Sequence, residues 1–223
     1  MNFPIPIGSR LFKGMTREEA SQLLTDLGAD VKNVPRGGFV FHEGDPKVHF
    51  AVLLDGELMM YETDPDGRRS LVGCLRPPNC VALIFAFADV DRHPATVKAK
   101  EDSTILRIPV ARVRALCSSM MDSVQRRFME NLSVEICELA WHHRFHTYLL
   151  TRRTTRERVL AYLRRKSRDA GSLSFTIPLD RNGMADYLCV DRSALSVVLS
   201  RLADEGVIEY SKNRFCFKMN PDG

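Results

Sequence analysis

The sequence has no long hydrophobic run. Its longest unbroken apolar stretch is the eight residues from Val81 to Ala88, far short of the 18 or more that a membrane helix needs. It also lacks cysteine patterns: the six cysteines, at 74, 80, 117, 137, 189 and 216, form no Cys-x-x-Cys to stand with a His pair as a zinc finger. The segment from Met1 to Ile7 has neither the basic region nor the apolar core of a secretory signal. Together these absences predict a cytoplasmic protein with free thiols, no disulfide scaffold, no membrane partner and no bound metal. No Gly-x-Ser-x-Gly, His-Glu-x-x-His or phosphate-loop motif occurs. An enzyme has no residues to stand on here, and no cofactor is expected.

What is present is the composition of a globular protein, 44% hydrophobic and 27% charged over 223 residues. Charge is unevenly divided. From Leu150 onward 14 Lys and Arg face 9 Asp and Glu, whereas the first 149 residues carry 18 against 19. All of the net +4 therefore comes from the last third, the footprint of a module that meets polyanions. Runs such as Arg152-Arg153 and Arg164-Arg165-Lys166 fit a solvated helix face equally well.

Three segments follow one another. From about 33 to 109, apolar pieces (Phe39 to Phe41, Phe50 to Leu54, Leu58 to Tyr61, Leu71 to Leu75, Ile105 to Ile108) alternate with Gly-rich turns such as Asp55-Gly56 and Asp64-Pro65-Asp66-Gly67. Asp-Gly between apolar runs predicts hairpins, and many short strands predict a jelly roll. A helix over about Thr16 to Leu27 precedes them, with Thr16 and Glu19 as a capping box.

From 110 to 150 the pattern turns helical. Met121, Val124, Phe128, Leu132, Ile136, Leu139, His143, His146 and Leu150 recur at three- and four-residue steps without Pro or Gly. A long helix with such a narrow seam pairs with a second copy of itself, or else packs on its own domain. The last segment, 151–223, reads as a helix over about Thr155 to Lys166, a short strand at Phe175 to Ile177, and two helices near Arg181 to Leu188 and Arg192 to Glu205. A hairpin with basic residues Lys212 and Arg214 at its tip closes it. This is a winged helix-turn-helix. The fold class is thus α+β, with an N-terminal jelly roll at 1–109, expected as a sensor domain from the resemblance given below, a long helix at 110–150, for dimerisation if it pairs with a second copy, and the winged domain at 151–223.

In the helix pair, Asp180 and Asp191 are placed to cap the two helices. Met184, Ala185 and Leu188 face inward from the first, and Leu195, Val198, Leu199 and Leu202 form the buried stripe of the second. The opposite face carries Arg192, Ser193, Ser196, Val197, Ser200 and Arg201 toward a DNA major groove, with Lys212 and Arg214 on the phosphates.

Met184-Ala185-Asp186-Tyr187-Leu188-Cys189-Val190-Asp191-Arg192-Ser193-Ala194-Leu195-Ser196, with Leu199-Ser200-Arg201-Leu202 and Glu205-Gly206-Val207-Ile208, closely resembles the helix-turn-helix of the Crp/Fnr transcription regulators. Upstream, Gly38-Phe39-Val40-Phe41, Glu43-Gly44-Asp45 and Leu54-Asp55-Gly56-Glu57-Leu58 resemble that family's strand and turn motifs, so the likeness spans nearly the whole chain. It implies a homodimer on a palindromic double-stranded operator, a small-molecule effector in the β-roll, and RNA polymerase as a partner. The competing expectation is a ligand-binding regulatory module that no longer recognises specific DNA.

Three departures from the family pattern matter. Ser193 stands where the family commonly has a base-reading Glu, and Val197 where it has a second Arg, so the usual family operator is not expected to bind tightly. Cys189 takes the turn position usually held by Gly, which predicts a left-handed residue under strain of about 1 kcal/mol. In the sensor, the positions that hold sugar and phosphate in cyclic-nucleotide-binding members become Ala82, Leu83, His93 and Pro94. Cyclic AMP is therefore not expected as the effector. The region around them is apolar (Val81, Leu83, Ile84, Phe85 and Phe87, with His93), and either fills its own cavity or takes an apolar ligand. In Trp141-His142-His143-Arg144-Phe145-His146, the i, i+4 pair His142 and His146 is read as part of a helix seam or surface rather than as a metal site.

Overall fold

The computed structural model describes residues 3–6, 8–64, 66–118 and 122–218, which leaves Met121 and Pro65 of the patterns above outside it. The chain divides into two compact units, Met1–Leu139 and Ala140–Gly223.

In the first unit, α1 (Arg17–Asp26) starts at the expected capping box. The Thr16 hydroxyl accepts from the Glu19 amide at 3.1 Å, and the Glu19 carboxylate accepts from the Thr16 amide at 2.8 Å. Eight strands follow: β1 (Asp30–Val34), β2 (Phe39–Phe41), β3 (His49–Asp55), β4 (Leu58–Thr63), β5 (Arg69–Leu75), β6 (Cys80–Val81), β7 (Thr96–Ala99) and β8 (Ser103–Pro109). They build two antiparallel four-stranded sheets, ordered β1-β8-β3-β6 and β2-β7-β4-β5. Successive strands mostly change sheet, which is the jelly-roll path. This corrects one expectation. Asp64 to Gly67 does close a β4–β5 hairpin, with the Asp64 amide donating to the Arg68 carbonyl at 2.9 Å. Asp55-Gly56, in contrast, carries the chain from one sheet to the other. A side chain at Gly56, whose φ is +91°, would lie 2.7 Å from the Asp102 carbonyl and 2.8 Å from the Ser103 Cα, so only glycine fits.

The sheet containing β3 and β8 is covered on both faces. Alternation sends Ala51, Leu53 and Ile105 into the space between the sheets with Val34, Phe41, Leu58, Val81 and Val97. The intervening Phe50, Val52, Leu106 and Ile108 pack against helices instead. Those helices are α1, the short α2 (Leu83–Phe87), α3 (Val110–Leu116) and the first turns of α4 (Ser123–Leu150). The uninterrupted helix allowed over 110–150 is thus two helices. Asp122 starts the second: its carboxylate accepts from the Val124 and Gln125 amides at 2.8 Å, and the Gln125 side chain accepts from the Asp122 amide at 3.3 Å. This reciprocal cap begins α4 without Pro or Gly, and α3 has its own C-cap at Cys117.

In the second unit, α5 (Thr155–Ala170) begins at a capping box between Thr154 and Glu157 and ends at Gly171, which is left-handed. Then come β9 (Ser174–Thr176), α6 (Arg181–Leu188), α7 (Arg192–Asp204), β10 (Ile208–Ser211) and β11 (Arg214–Phe217), with a sheet order of β10-β11-β9. Its core joins Val159, Tyr162 and Leu163 to Met184, Leu188, Leu195, Leu199, Leu202 and Phe215. Among the described residues, no helix is long and apolar enough to cross a membrane.

Candidate nucleic-acid interface

The two short helices α6 and α7 are capped as their sequence demands. Asp180 accepts from the Gly183 amide at 2.7 Å, and Asp191 accepts from the amides of Ser193 at 2.8 Å and Ala194 at 3.1 Å. The Ser193 hydroxyl, and after it those amide bonds, hold the Asp191 carboxyl below its ordinary pKa, so it is ionised at neutral pH. Between the helices, Cys189 has φ 50° and ψ 53°, the left-handed conformation expected at that turn. Leu195, Leu199 and Leu202 are buried and Val198 is partly so. Arg192, Ser193, Ser196, Val197, Ser200 and Arg201 are exposed, Val197 to 50%. All six residues expected on the outer face are on it.

The wing places Lys212 and Arg214 in solvent. Lys212 has a positive φ of 52° at the tip, and its carbonyl accepts from Arg181 at 3.3 Å. The tip is tied to β9 from both sides: the Ile177 amide donates to the Asn213 carbonyl at 2.9 Å, and the Asn213 side chain returns a bond to the Ile177 carbonyl at 3.1 Å.

Two arginines outside the helix pair brace it, and no sequence motif marks them. Arg158 donates to the carbonyls of Leu188 (3.2 Å) and Cys189 (3.0 Å) in the turn, and to those of Arg152 (3.2 Å) and Leu150 (3.5 Å) at the end of α4. One guanidinium thus satisfies the carbonyl ends of two helices. At the other end of α7, Arg156 grips Glu205 with two bonds, of 3.1 and 2.5 Å. His146, expected on a dimer seam, instead sets Nε2 2.7 Å from the Tyr187 carbonyl and its ring 4.7 Å from the Tyr187 ring. It is occupied with α6.

The remaining seam residues divide in the same way. Phe128 and Leu132 are fully buried in the core of the first unit, and Val124, Ile136 and Leu139 pack against it. This is the own-domain alternative, and it leaves those two side chains nothing to offer a partner. His143 is exposed. The free row of α4 is a different one: Val134, Trp141 and Tyr148 are each 45% exposed at seven-residue spacing, and exposed Cys137 lies between the first two. Trp141 is flanked by Arg144 and Arg165, each guanidinium 5.2 Å from its ring centre.

The apolar sensor residues do not converge on one cavity. Val81 is buried between the sheets, Leu83 and Phe87 pack on the helical side, and Ile84 and Phe85 are half-buried. His93 is 2% exposed and tilted over Phe41 with 4.5 Å between ring centres, and its Nε2 is buried without a hydrogen-bond partner. Burial lowers its pKa, and the Asp45 and Lys47 charges act in opposite senses on what remains. Neutral His93 presents no cation, and buried Leu83 presents no polar group.

Residues 31–120 match the cyclic nucleotide-binding domain family, and residues 157–219 match the Crp-like helix-turn-helix domain family. The transcriptional activator protein FnrA of Stutzerimonas stutzeri is 25% identical over 191 residues, 83% of this chain and 75% of that protein. Among solved structures, the catabolite activator protein of Thermus thermophilus aligns with a TM-score of 0.53 and 21% identity, covering 96% of this chain and 95% of that one. The c-di-GMP responsive global regulator CLP of Xanthomonas campestris aligns at 0.61 and 14%, covering 92% of this chain and all of that one. These two structural likenesses speak for the fold.

Proposed function

The chain belongs to the Crp/Fnr transcription regulators, and from that premise we propose that it acts as a homodimer on double-stranded DNA, under the control of an effector other than a cyclic nucleotide. The observation that carries the proposal is the outer face of α7: six exposed side chains on a helix whose inner face is buried, beside a wing that holds Lys212 and Arg214 in solvent. Two copies related by a two-fold axis would set their recognition helices in successive major grooves, about 34 Å apart.

Dimerisation is assigned to the free row of α4, Val134, Cys137, Trp141 and Tyr148, because seven-residue spacing is the repeat that lets two helices share a seam. The effector assignment follows from chemistry. A buried phosphate without its cation costs several kcal/mol, and His93 over Phe41 supplies none. The region takes an apolar molecule or is closed by its own side chains. RNA polymerase is the remaining partner of this reading.

Binding of the full chain to random-sequence DNA, selected over several rounds, tests the proposal. The expected result is a two-fold symmetric site whose affinity falls at least about tenfold between 50 and 200 mM salt as counterions are displaced. No recovered site at any salt would leave a ligand-binding module without specific DNA. Micromolar calorimetric binding of cAMP or cGMP would overturn the effector assignment.

A further inference from the structure

We propose that the recognition helix is built to read A·T pairs, through serine hydroxyls fixed as acceptors and the exposed Val197 methyls. The inference rests on the DNA-binding function proposed above and adds which bases are read.

A serine hydroxyl ordinarily serves either role, because it carries one proton and two lone pairs. Here both protons are spent inside the protein. The Ser193 hydroxyl donates to the Asp191 carboxylate, a charge-assisted bond that a neutral base acceptor does not displace. The Ser196 hydroxyl donates to the Arg192 carbonyl at 3.0 Å, one turn back along the helix. Asp191 is held in place by its own cap bonds and stays ionised, which keeps the Ser193 proton where it is. What both serines turn outward is lone pairs.

Lone pairs select base edges that donate. In the major groove these are the 6-amino group of adenine and the 4-amino group of cytosine, while guanine offers only acceptors there. Val197 lies four residues after Ser193 and next to Ser196, on the same exposed face. Half its surface is free, and its methyls favour the thymine C5-methyl over the bare C5 of cytosine. The base pair that supplies both an amino donor and a methyl is A·T. Arg192 and Arg201, at either end of the face, remain for guanine or phosphate.

Base-analogue substitution within the selected operator tests this. Each thymine is replaced in turn by deoxyuridine, which removes only the methyl. Each adenine is replaced by purine, which removes only the amino group. We expect one thymine per half-site whose replacement weakens binding about fourfold, the worth of one buried methyl. That penalty should vanish in Val197→Ala, a surface substitution that leaves the fold intact. One adenine should lose about fivefold, the worth of one hydrogen bond, and Ser193→Ala should abolish that loss. A symmetric operator on which neither analogue has any effect, or whose central contacts are all G·C, overturns the base assignment and leaves DNA binding standing. Failure to select any operator removes the underlying function, and the base assignment with it.

Discussion

Arg158 and Cys189 are joined across the turn between α6 and α7: the guanidinium Nη1 donates to the Cys189 carbonyl at 3.0 Å, on the one residue of that turn forced into the left-handed region. The strained backbone and the group that holds it are therefore in direct contact. Arg158 also reaches carbonyls at the end of α4, so removing it orphans acceptors on both helices. Arg158→Met is expected to destabilise the second unit by about 2–3 kcal/mol, the range for charged hydrogen bonds lost from partly buried carbonyls. Arg158→Lys should recover less than half, because a point ammonium cannot span four oxygens. Urea midpoints for the wild type and the two variants check this, and an Arg158→Met midpoint equal to that of the wild type would show that the bonds are idle.

Cys189→Gly should act in the opposite sense. Relief of about 1–2 kcal/mol of left-handed strain exceeds the roughly 0.5–1 kcal/mol of added chain entropy, for a net gain of about 0.5–1 kcal/mol. A midpoint that falls on substitution would refute it.

His93 makes stability depend on pH on the acid side. Burial lowers its pKa in the folded chain, with the Lys47 charge in the same sense and Asp45 opposing. His49 is shifted the same way, by burial and by Arg107, with Asp30 opposing. The unfolded chain therefore takes up these protons first. Their contribution is intact above about pH 6.5, the ordinary imidazole value, and is lost as pH falls from there through the lower folded values. In His93→Leu, which keeps a similar volume beside Phe41, the denaturation midpoint should gain on the wild type progressively from pH 7 to pH 5. Curves that stay parallel over that interval would assign the acid sensitivity elsewhere.

Cys137 tests the helix seam. If two copies pair along Val134, Cys137, Trp141 and Tyr148, mild oxidation by diamide should give a disulfide-linked dimer on non-reducing gels, and Cys137→Ser should abolish it. Trp141→Ala should weaken association in sedimentation. A crosslink that persists without Cys137 would move the seam to another face.

The helix pair was legible because its determinants are local. Two aspartates cap two helices, a Leu stripe at i, i+4 and i+7 is buried, and a non-glycine residue sits where the turn needs a positive φ; the structure shows each of these. Less of the β-roll could be read. Strand β1, Asp-Val-Lys-Asn-Val, shows most of its residues to solvent and has no apolar run, and β6 is two residues long. Asp55-Gly56 has the local chemistry of a hairpin, but its destination is set by which sheet accepts β4, a long-range matter. The start of α4 is marked by the Asp122–Gln125 cap, a signal that carries neither Gly nor Pro. For Arg158 the sequence carries no signal, since its partners lie up to 31 residues away and are backbone carbonyls.

The outer face of α7 keeps its neutral groups, Ser193, Ser196, Val197 and Ser200, between cations, with Arg192 and Arg201 on the helix and Lys212 and Arg214 on the wing. Grip and discrimination are then separate quantities in this protein. Added electrolyte strips away the cationic share of the binding energy but leaves untouched the preference of a hydroxyl or a methyl for one base over another. Ratios of affinity between operators should stay constant from dilute buffer to concentrated salt while every individual affinity collapses.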